Sequence, residues 1–229
     1  MADPSPIWFE NALLSGAVRE KTIFEREVLA SGCRRIAGVD EAGRGPLAGP
    51  IVAGAVVLHG PLDGLDDSKR LTERRRERLF AELEDGPHEI GVAILEAEAI
   101  DLMGIQPANY RVMAEAARAL PTPPEFLLVD GFAIRGTDLP QKRIVKGDQR
   151  SHSIAAASII AKVTRDRIMR QLAEKFPGYG FEKHKGYGTR AHIEALDRLG
   201  PCPVHRKSFA PISRSLETAP LFRKKDRPS

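Results

Sequence analysis

The sequence is poor in cysteine and in aromatic residues, with two Cys, one Trp and three Tyr among 229 residues. Cys33 and Cys202 alone cannot form a disulfide framework, so a reducing cytoplasm is the expected location. No apolar run approaches the roughly 18 residues that span a bilayer. The opening stretch MADPSPIWFENALLSG lacks the basic and continuously apolar parts of a secretory signal. These absences predict a globular protein that does not interact with membranes.

Net charge is also small, at +4, but it is unevenly distributed. Residues 80–141 hold three Arg and no Lys against eleven acids, whereas residues 142–190 hold twelve Lys or Arg against four acids. Such asymmetry predicts one basic face that meets a polyanion. The early run SKRLTERRRER is also basic, and two interpretations stay open for it: part of such a face, or a solvated helix surface with i,i+4 ion pairs.

Hydrophobic periodicity predicts an alternation of strands and helices without internal repeats. Apolar runs predict strands at about 35–40, 51–58, HEIGVAILEA, 126–130 and 142–148, the first two as an antiparallel pair joined by a glycine turn. Helices are expected at about 18–31, 97–103, 106–119, 151–176 and 189–199. A further helix is expected, with Asp67 or Ser68 as its N-terminal cap and Gly86 at its end. This order indicates an α/β sheet with antiparallel and parallel members.

Four acids stand at the ends of predicted strands. Asp40 and Glu41 end one strand, Asp130 ends a second, and Asp148 closes a third just before a helix. Carboxylates that converge at one sheet edge repel one another, and a divalent cation compensates them. Oxygen ligands favour Mg²⁺ or Mn²⁺. Each acid also has an ordinary alternative as a turn or capping residue.

The tandem pair raises a geometric question, because successive residues of a regular strand point to opposite faces. Either the backbone bends near Asp40, or Glu41 contributes partly through its carbonyl oxygen. Asp166 is left out of the predicted site. Lys162 and Arg170 lie four residues to either side of it, which is an ordinary pattern for a helix surface.

The turn GRGPLAG lacks the spacing of a P-loop or a dinucleotide-binding motif. Gly43 and Gly45 either serve a hairpin that needs glycine, or they let backbone approach a ligand while Arg44 contacts a phosphate.

The basic C-terminal part carries three interleaved rings. Tyr179, Phe181 and Tyr187 alternate with lysines, as on surfaces that stack on sugars or bases, and core packing is preferred for Phe181. Cys202 and His205 are three residues apart, but no second pair completes a zinc site.

Six blocks of the chain are recognisable together, in order and with plausible spacing, between about residues 34 and 213: AGVDEAGRGPLAGPIVAGAVVL, DDSKRLTERRRERL, LLVDG, VKGDQRSHSIAAASIIAKVTRDRIM, YGFEKHKGYGTRAHIEAL and HRKSF. They closely resemble ribonuclease HII, the type 2 ribonuclease H. The resemblance implies a ribonuclease H-like fold, a mixed five-stranded sheet flanked by helices with a short helical C-terminal part. It also implies Mg²⁺- or Mn²⁺-dependent cleavage of RNA in RNA–DNA hybrids and on the 5′ side of single ribonucleotides in duplex DNA, leaving 3′-hydroxyl and 5′-phosphate ends.

The resemblance also assigns roles to individual residues. The family carboxylates fall on Asp40, Glu41, Asp130 and Asp148. The backbone of Gly43, Arg44 and Gly45 is expected to read the ribose 2′-hydroxyl. Ser68 and Lys69 match a phosphate-contacting pair, and Tyr187 matches the tyrosine that senses the RNA–DNA junction.

Residues 34–213 are expected to form the catalytic domain, preceded by an N-terminal extension (1–33) with a helix and followed by a basic tail (214–229). A monomer that acts in DNA replication and repair is expected. Two other hypotheses remain, a nuclease or resolvase of the same fold that needs no 2′-hydroxyl, and a non-catalytic hybrid-binding protein. The second of these leaves the four carboxylates unused.

Overall fold

In the computed structural model, which describes residues 8–9 and 16–213, a five-stranded sheet lies between helical layers. Its strands are β1 (Ile36–Ala42), β2 (Ile51–Val57), β3 (Glu89–Leu95), β4 (Phe126–Asp130) and β5 (Gln141–Ile144). They are ordered β3-β2-β1-β4-β5. The pairs β1–β2 and β2–β3 are antiparallel, whereas β1–β4 and β4–β5 are parallel. The predicted mixed five-stranded sheet is confirmed.

The described helices are α1 (Gly16–Lys21), α2 (Ile23–Ala30), α3 (Glu73–Asp85), α4 (Ala97–Met103), α5 (Ile105–Arg118), α6 (Gly147–Arg150), α7 (His152–Lys175), α8 (Phe181–His184) and α9 (Arg190–Leu199). Helix α5 packs on one face of the sheet, where Val112 and Met113 meet Val39. Helix α7 covers the other face, where Ile159 meets Val56. The alternating side chains of the strands therefore build two cores.

Helix α7 approaches β1 without an intervening side chain. A Cβ placed on Gly38 would lie 2.1 Å from the carbonyl carbon of Ser153, so only glycine fits at this position. Close contact brings the start of α7 beside the end of β1. The segment that contains Asp148 immediately precedes α7. Asp148 therefore lies at the same edge of the sheet.

Two predicted element boundaries are wrong. The helix expected at 18–31 is divided at Thr22, whose hydroxyl donates to the Arg19 carbonyl (3.0 Å) and competes with the helical pattern. Helix α3 is capped by Thr72, which accepts from Arg75 N–H. Asp67 instead closes its own turn by accepting from Lys69 N–H at 2.9 Å, while Gly86 ends α3 as predicted.

The strand predicted at 142–148 is also too long. Strand β5 ends at Ile144, and Lys146 adopts a left-handed conformation with φ of 55°. Gly147 N–H donates to Asp130 Oδ1 (2.6 Å) rather than to a strand. Asp148 therefore lies in the short helix α6 and not at the end of a strand.

The boundary at residue 34 stays a prediction, although α2 packs closely on the sheet. Val28 shares a buried cluster with Ile36 and Leu128, and buried Glu25 accepts from the Ser151 hydroxyl at 2.7 Å. The predicted tail, 214–229, lies outside the described residues. None of the described helices has the length and apolarity that crossing a membrane requires.

Candidate active site

Asp40 and Asp130 lie side by side because β1 and β4 run parallel. Val39 is paired with Val129, so the next residue of each strand is an acid. Asp148 joins them through α6, whose first residue donates to Asp130 Oδ1. Three segments that are distant in sequence thus bring their acids to one sheet edge.

The tandem acids occupy an unbroken strand. β1 stays paired with β2 through Ala42, so the expected bend does not interrupt it. Pairing with β4 ends at Val39, however, and leaves that edge of β1 open beside Asp40 and Glu41. Both residues line the same cleft. The missing neighbour strand lets both reach the site despite their alternation.

Burial and the charges of neighbouring acids raise the pKa values of Asp40, Glu41 and Asp148. Burial, reinforced by Glu41, Asp130 and Asp148, raises the pKa of Asp40 well above its ordinary range. Burial raises the pKa of Glu41 to about 7, with Arg44 opposing and Asp130 adding to the shift. Burial, together with Asp67 and Asp130, raises the pKa of Asp148 to about 6. The site thus holds more negative charge than its surroundings balance.

The donor set suits a hard divalent cation, because it consists of carboxylate oxygens whose mutual repulsion a cation would relieve. Within residues 8–9 and 16–213, no three His, Cys, Asp or Glu side chains already stand as a closed metal-binding group. Cationic side chains are at the margin instead, with Lys69 Nζ 4.0 Å from Asp148 Oδ2 and an Arg44 nitrogen 3.8 Å from Glu41 Oε1. The acids fit such an ion in charge and in donor chemistry.

Repulsion among these acids predicts how the metal-free protein responds to pH. Glu41→Gln should stabilise it above about pH 7, by up to about 3 kcal/mol for the shift from 4.5. Glu41 is protonated in both states below its unfolded pKa, and the penalty grows as pH rises through its folded pKa. Melting curves of both proteins in chelator should coincide near pH 4 and separate near pH 8. Curves that stay together at both pH values would contradict the shift.

A cleft of about 450 Å³ opens beside Asp40 and Glu41. All six predicted substrate-contacting residues line it: Gly43, Arg44, Gly45, Ser68, Lys69 and Tyr187. Three further basic residues that sequence reasoning did not select also line it: Arg76, Lys162 and Arg165. The cleft therefore places acids and cations next to each other.

The buried side chain of Arg206 supports the glycine turn through hydrogen bonds to its carbonyl oxygens. It is fully buried, and its guanidinium donates to the carbonyl oxygens of Gly43 (2.6 Å) and Arg44 (3.0 Å) and also to those of Gly49 and Pro50. In a trans peptide unit the carbonyl and the following N–H point in opposite directions. The N–H groups of Arg44 and Gly45 therefore point away from Arg206, and neither finds an acceptor in the described part of the chain. Two amide donors are left for a ligand.

Arg165 supports the same turn from α7. Its guanidinium donates to the carbonyls of Pro50 and Ala48, at 2.9 and 3.2 Å, and an added Cβ on Gly43 would lie 2.1 Å from its Nε. Gly43 also has φ of +102°, which disfavours any side chain. Both buried arginines lie in basic stretches that look like surface in the sequence. Their burial depends on carbonyls more than 100 residues away, which no local signal reveals.

Arg44 is oriented by contacts within the protein. Its guanidinium donates to Gln106 Oε1 (2.7 Å) and lies 4.9 Å from the centre of the Phe132 ring. It also faces Glu41 at 3.8 Å. Arg44 therefore stands at the rim of the site, with its side chain already positioned.

The Ser68–Lys69 turn is fixed by Arg76, which donates to the Ser68 carbonyl at 2.8 Å. Arg76 also faces Asp166 at 3.9 Å, and Lys162 Nζ donates to Asp166 Oδ1 at 2.7 Å. The prediction that Asp166 is an ordinary surface residue is wrong, because it is only 4% exposed. The i,i+4 spacing correctly indicated its pairing with Lys162 but carried no information about Arg76, 90 residues earlier.

Tyr187 presents its ring to the cleft. It is 44% exposed, and an added Cβ on Gly45 would lie 3.7 Å from its Cε1. Tyr179, grouped with it in the sequence, is instead buried and donates to the Gly200 carbonyl at 2.5 Å, so that part of the predicted stacking surface is wrong. Phe181 is buried as expected.

A chain of hydrogen bonds fixes the backbone of Tyr187. His192 Nδ1 bonds its carbonyl (2.9 Å), His192 Nε2 meets His205 Nε2 (3.1 Å), and His205 Nδ1 accepts from Cys202 N–H (3.0 Å). This chain requires one donor and one acceptor nitrogen in each ring, so both imidazoles must be neutral. Burial lowers the pKa of both His192 and His205, which favours the neutral form. Cys202 and His205 thus serve this network, in agreement with the rejection of a zinc site.

The strand order, the gathered acids and the basic cleft define the ribonuclease H-like class of nucleic-acid hydrolases. The family model described as Ribonuclease HII matches residues 37–212. The chain is 55% identical over 198 residues to ribonuclease HII of Geobacillus kaustophilus, covering 86% of this chain and 76% of that protein. It is 51% identical over 201 residues to ribonuclease HII of Chlamydia muridarum, covering 86% and 92%.

Among solved structures, the ribonuclease H2 of Pyrococcus horikoshii matches with a TM-score of 0.67 and 28% identity, over 80% of this chain and 97% of that one. The chain belongs to the ribonuclease HII family. It is a nuclease of the type that hydrolyses the RNA strand of RNA–DNA hybrids.

Proposed function

We propose that this enzyme also incises duplex DNA on the 5′ side of a single embedded ribonucleotide, leaving 3′-hydroxyl and 5′-phosphate ends. The observation that carries the proposal is the pair of amide donors Arg44 N–H and Gly45 N–H, which have no acceptor in the described part of the chain and belong to residues that line the cleft with Asp40 and Glu41. A ribose hydroxyl can accept from such donors, whereas deoxyribose offers nothing at that position. Ribonucleotide removal during DNA replication and repair is the corresponding role.

Asp40, Glu41, Asp130 and Asp148 would hold Mg²⁺ or Mn²⁺. When bound, two such ions supply positive charge to the scissile phosphate and lower the pKa of an attacking water. The protein's own part is orientation: Gly147 N–H fixes Asp130, and Lys69 adds a cation at the margin. Burial acts to lower the pKa of Lys69, but the surrounding acids, Asp40 and Asp148 foremost, together raise it, so Lys69 stays charged toward phosphate.

The proposed substrates are RNA–DNA hybrids and ribonucleotide-containing duplex DNA, and the proposed form is a monomer. The cytoplasm is the proposed location. Cys33 and Cys202 are both free, as they would be in a reducing compartment.

Three matched duplexes test the proposal: one with a single ribonucleotide, one RNA–DNA hybrid and one of DNA alone, each with Mg²⁺, with Mn²⁺ and with chelator. The expected result is metal-dependent cutting of the first two and none of the third. Equal cutting of the all-DNA duplex would indicate a general nuclease or resolvase. Binding of the hybrid without cleavage in either metal would indicate a non-catalytic protein.

Tyr187→Ala should slow incision at a single ribonucleotide roughly tenfold or more, since one lost stacking contact costs about 1–3 kcal/mol. Tyr187→Phe should retain much more activity, because the ring face provides the packing. Single-turnover rates on the single-ribonucleotide duplex and on the hybrid measure the effect. Melting temperature should change little, because the ring is 44% exposed. A uniform loss on both substrates with a large drop in melting temperature would contradict this role.

Lys69→Ala should lower the slope of log Kd against log salt concentration by about one unit for duplex binding. One unit is the value expected for the loss of one phosphate contact. The Lys69 side chain is 75% exposed and turned toward the acids, which leaves it available to a backbone phosphate. Titrations at several salt concentrations in chelator measure the slope. An unchanged slope would mean that Lys69 does not contact phosphate.

A further inference from the structure

The three arginines of the acidic segment 80–141 lie on one groove. Arg111, Arg118 and Arg135 are the only basic residues, histidine aside, in a stretch with eleven acids. All three are exposed, and all three line a groove of about 620 Å³ between α5 and the segment after β4. Arg111 and Arg118 share one face of α5 at i,i+7 spacing, and Arg135 joins them from the segment after β4. Their convergence points to an anionic ligand.

The groove has a defined shape and fixed cations. Its wall is one face of α5, formed by Gln106, Tyr110 and Ala114 at helical spacing and ending at Arg118. The Arg135 guanidinium lies 5.3 Å from the centre of the Tyr110 ring. Arg118 donates to the Gly136 carbonyl (2.8 Å) and ties the loop to the helix.

Glu115 orients Arg111, the remaining arginine of the groove, and leaves its side chain exposed. Arg111 Nε donates to Glu115 Oε1 at 2.7 Å, and the Arg111 side chain stays 55% exposed. Because an exposed pair of this kind is worth little energetically, a phosphate can take over the guanidinium at small cost.

The groove adjoins the active-site cleft through one hydrogen bond between their linings. Gln106 lines the groove and accepts from Arg44, which lines the cleft. The Gln106 Nε2 atom is buried and has no partner in the described part of the chain. From Gln106 to Arg118 the helix rises about 18 Å. That length corresponds to about five nucleotides of one duplex strand.

We infer that the groove binds the phosphodiester backbone of the substrate duplex as it leaves the cleft, with Arg111 and Arg135 each contacting a phosphate. This inference rests on the proposed function and extends it to the flanking duplex. The contact between Arg44 and Gln106 favours nucleic acid over a free nucleotide or an acidic protein, because a strand bound at Arg44 lies next to the groove.

Arg111→Ala and Arg135→Ala, singly and together, test the inference, while Arg118 is kept because it holds the loop. The matched control is Arg78→Ala, since Arg78 Nε bonds Glu82 at 2.7 Å with the same i,i+4 spacing as Arg111 and Glu115. Binding is measured in chelator, so it does not depend on cleavage. The ligand is a single-ribonucleotide duplex with about ten base pairs on each side, longer than the roughly five that the groove spans.

The double variant should bind this duplex roughly tenfold more weakly, with a salt slope lower by about two units, while Arg78→Ala matches wild type. Cutting the duplex back to about two base pairs on one side, but not on the other, should abolish the difference from wild type, because the groove leaves the cleft in one direction. Wild-type affinity and slope in the double variant, or a deficit that survives both truncations, would overturn the inference. Failure of wild type to cut the ribonucleotide would instead overturn the proposed function.

Discussion

Asp130→Asn should lower the single-turnover rate of ribonucleotide incision by several orders of magnitude while leaving hybrid affinity equal or higher. The substitution removes one of the charged side chains proposed to hold the cation, which should disrupt cation positioning. It also removes one negative charge near the substrate phosphates, so binding does not suffer. The fold should survive, because Asn Oδ1 can still accept from Gly147 N–H as Asp130 Oδ1 does.

Rates in Mg²⁺ and in Mn²⁺, together with the affinity in chelator, measure both effects. Asp197→Asn is the control, since Asp197 is an exposed acid on α9 away from the strand ends. Asp166→Asn is unsuitable as a control because Asp166 is buried between Lys162 and Arg76. An Asp130→Asn enzyme that cuts at near wild-type rate would remove Asp130 from the site.

Arg206→Ala should destabilise the protein by more than about 4 kcal/mol, among the largest effects of a single substitution. It empties a fully buried position and leaves the carbonyls of Gly43, Arg44 and Gly49 without this donor, while Pro50 still accepts from Arg165. Each unsatisfied buried carbonyl costs about 1–3 kcal/mol. Arg190→Ala, which removes a 93% exposed side chain, should leave the melting temperature almost unchanged.

Arg206→Lys separates the effect on the turn from the loss of the fold. A single ammonium reaches fewer of the carbonyls that the planar guanidinium bonds together, so the turn should loosen while the protein still folds. Incision of the ribonucleotide duplex should fall more than affinity for all-DNA duplex. A lysine variant with wild-type incision would show that the turn keeps its amides in place without Arg206.

The strand ends could be found in the sequence because their signal is local. Uncharged apolar runs end at Asp40 and at Asp130, and parallel pairing then brings the two acids together. Asp148 was assigned to the end of a strand, whereas the left-handed Lys146 turns the chain into α6 first. The strand pattern therefore selected Asp148 on a placement that the structure contradicts, whereas the recognisable sequence block selected it independently.

The supporting cations were not predictable in the same way. Arg206 bonds carbonyls about 160 residues earlier in the chain, and a buried arginine without a carboxylate partner leaves no charge pattern in the sequence. Arg76 and Asp166 illustrate the same limit, because each looks like part of a surface helix until α3 and α7 pack together. Local periodicity predicted the elements, but only their packing reveals which side chains become buried.

The 2′-position of one nucleotide provides the most direct test of the account. A set of identical duplexes would carry a single nucleotide with 2′-hydroxyl, 2′-hydrogen, 2′-fluoro or 2′-O-methyl, and single-turnover rates and product ends would be measured in Mg²⁺. The amides of Arg44 and Gly45 predict cleavage of the 2′-hydroxyl duplex, on the 5′ side of that nucleotide with 3′-hydroxyl and 5′-phosphate ends, and none of the 2′-hydrogen duplex, which offers them no acceptor. Cleavage of the 2′-hydrogen duplex at a comparable rate would contradict the account.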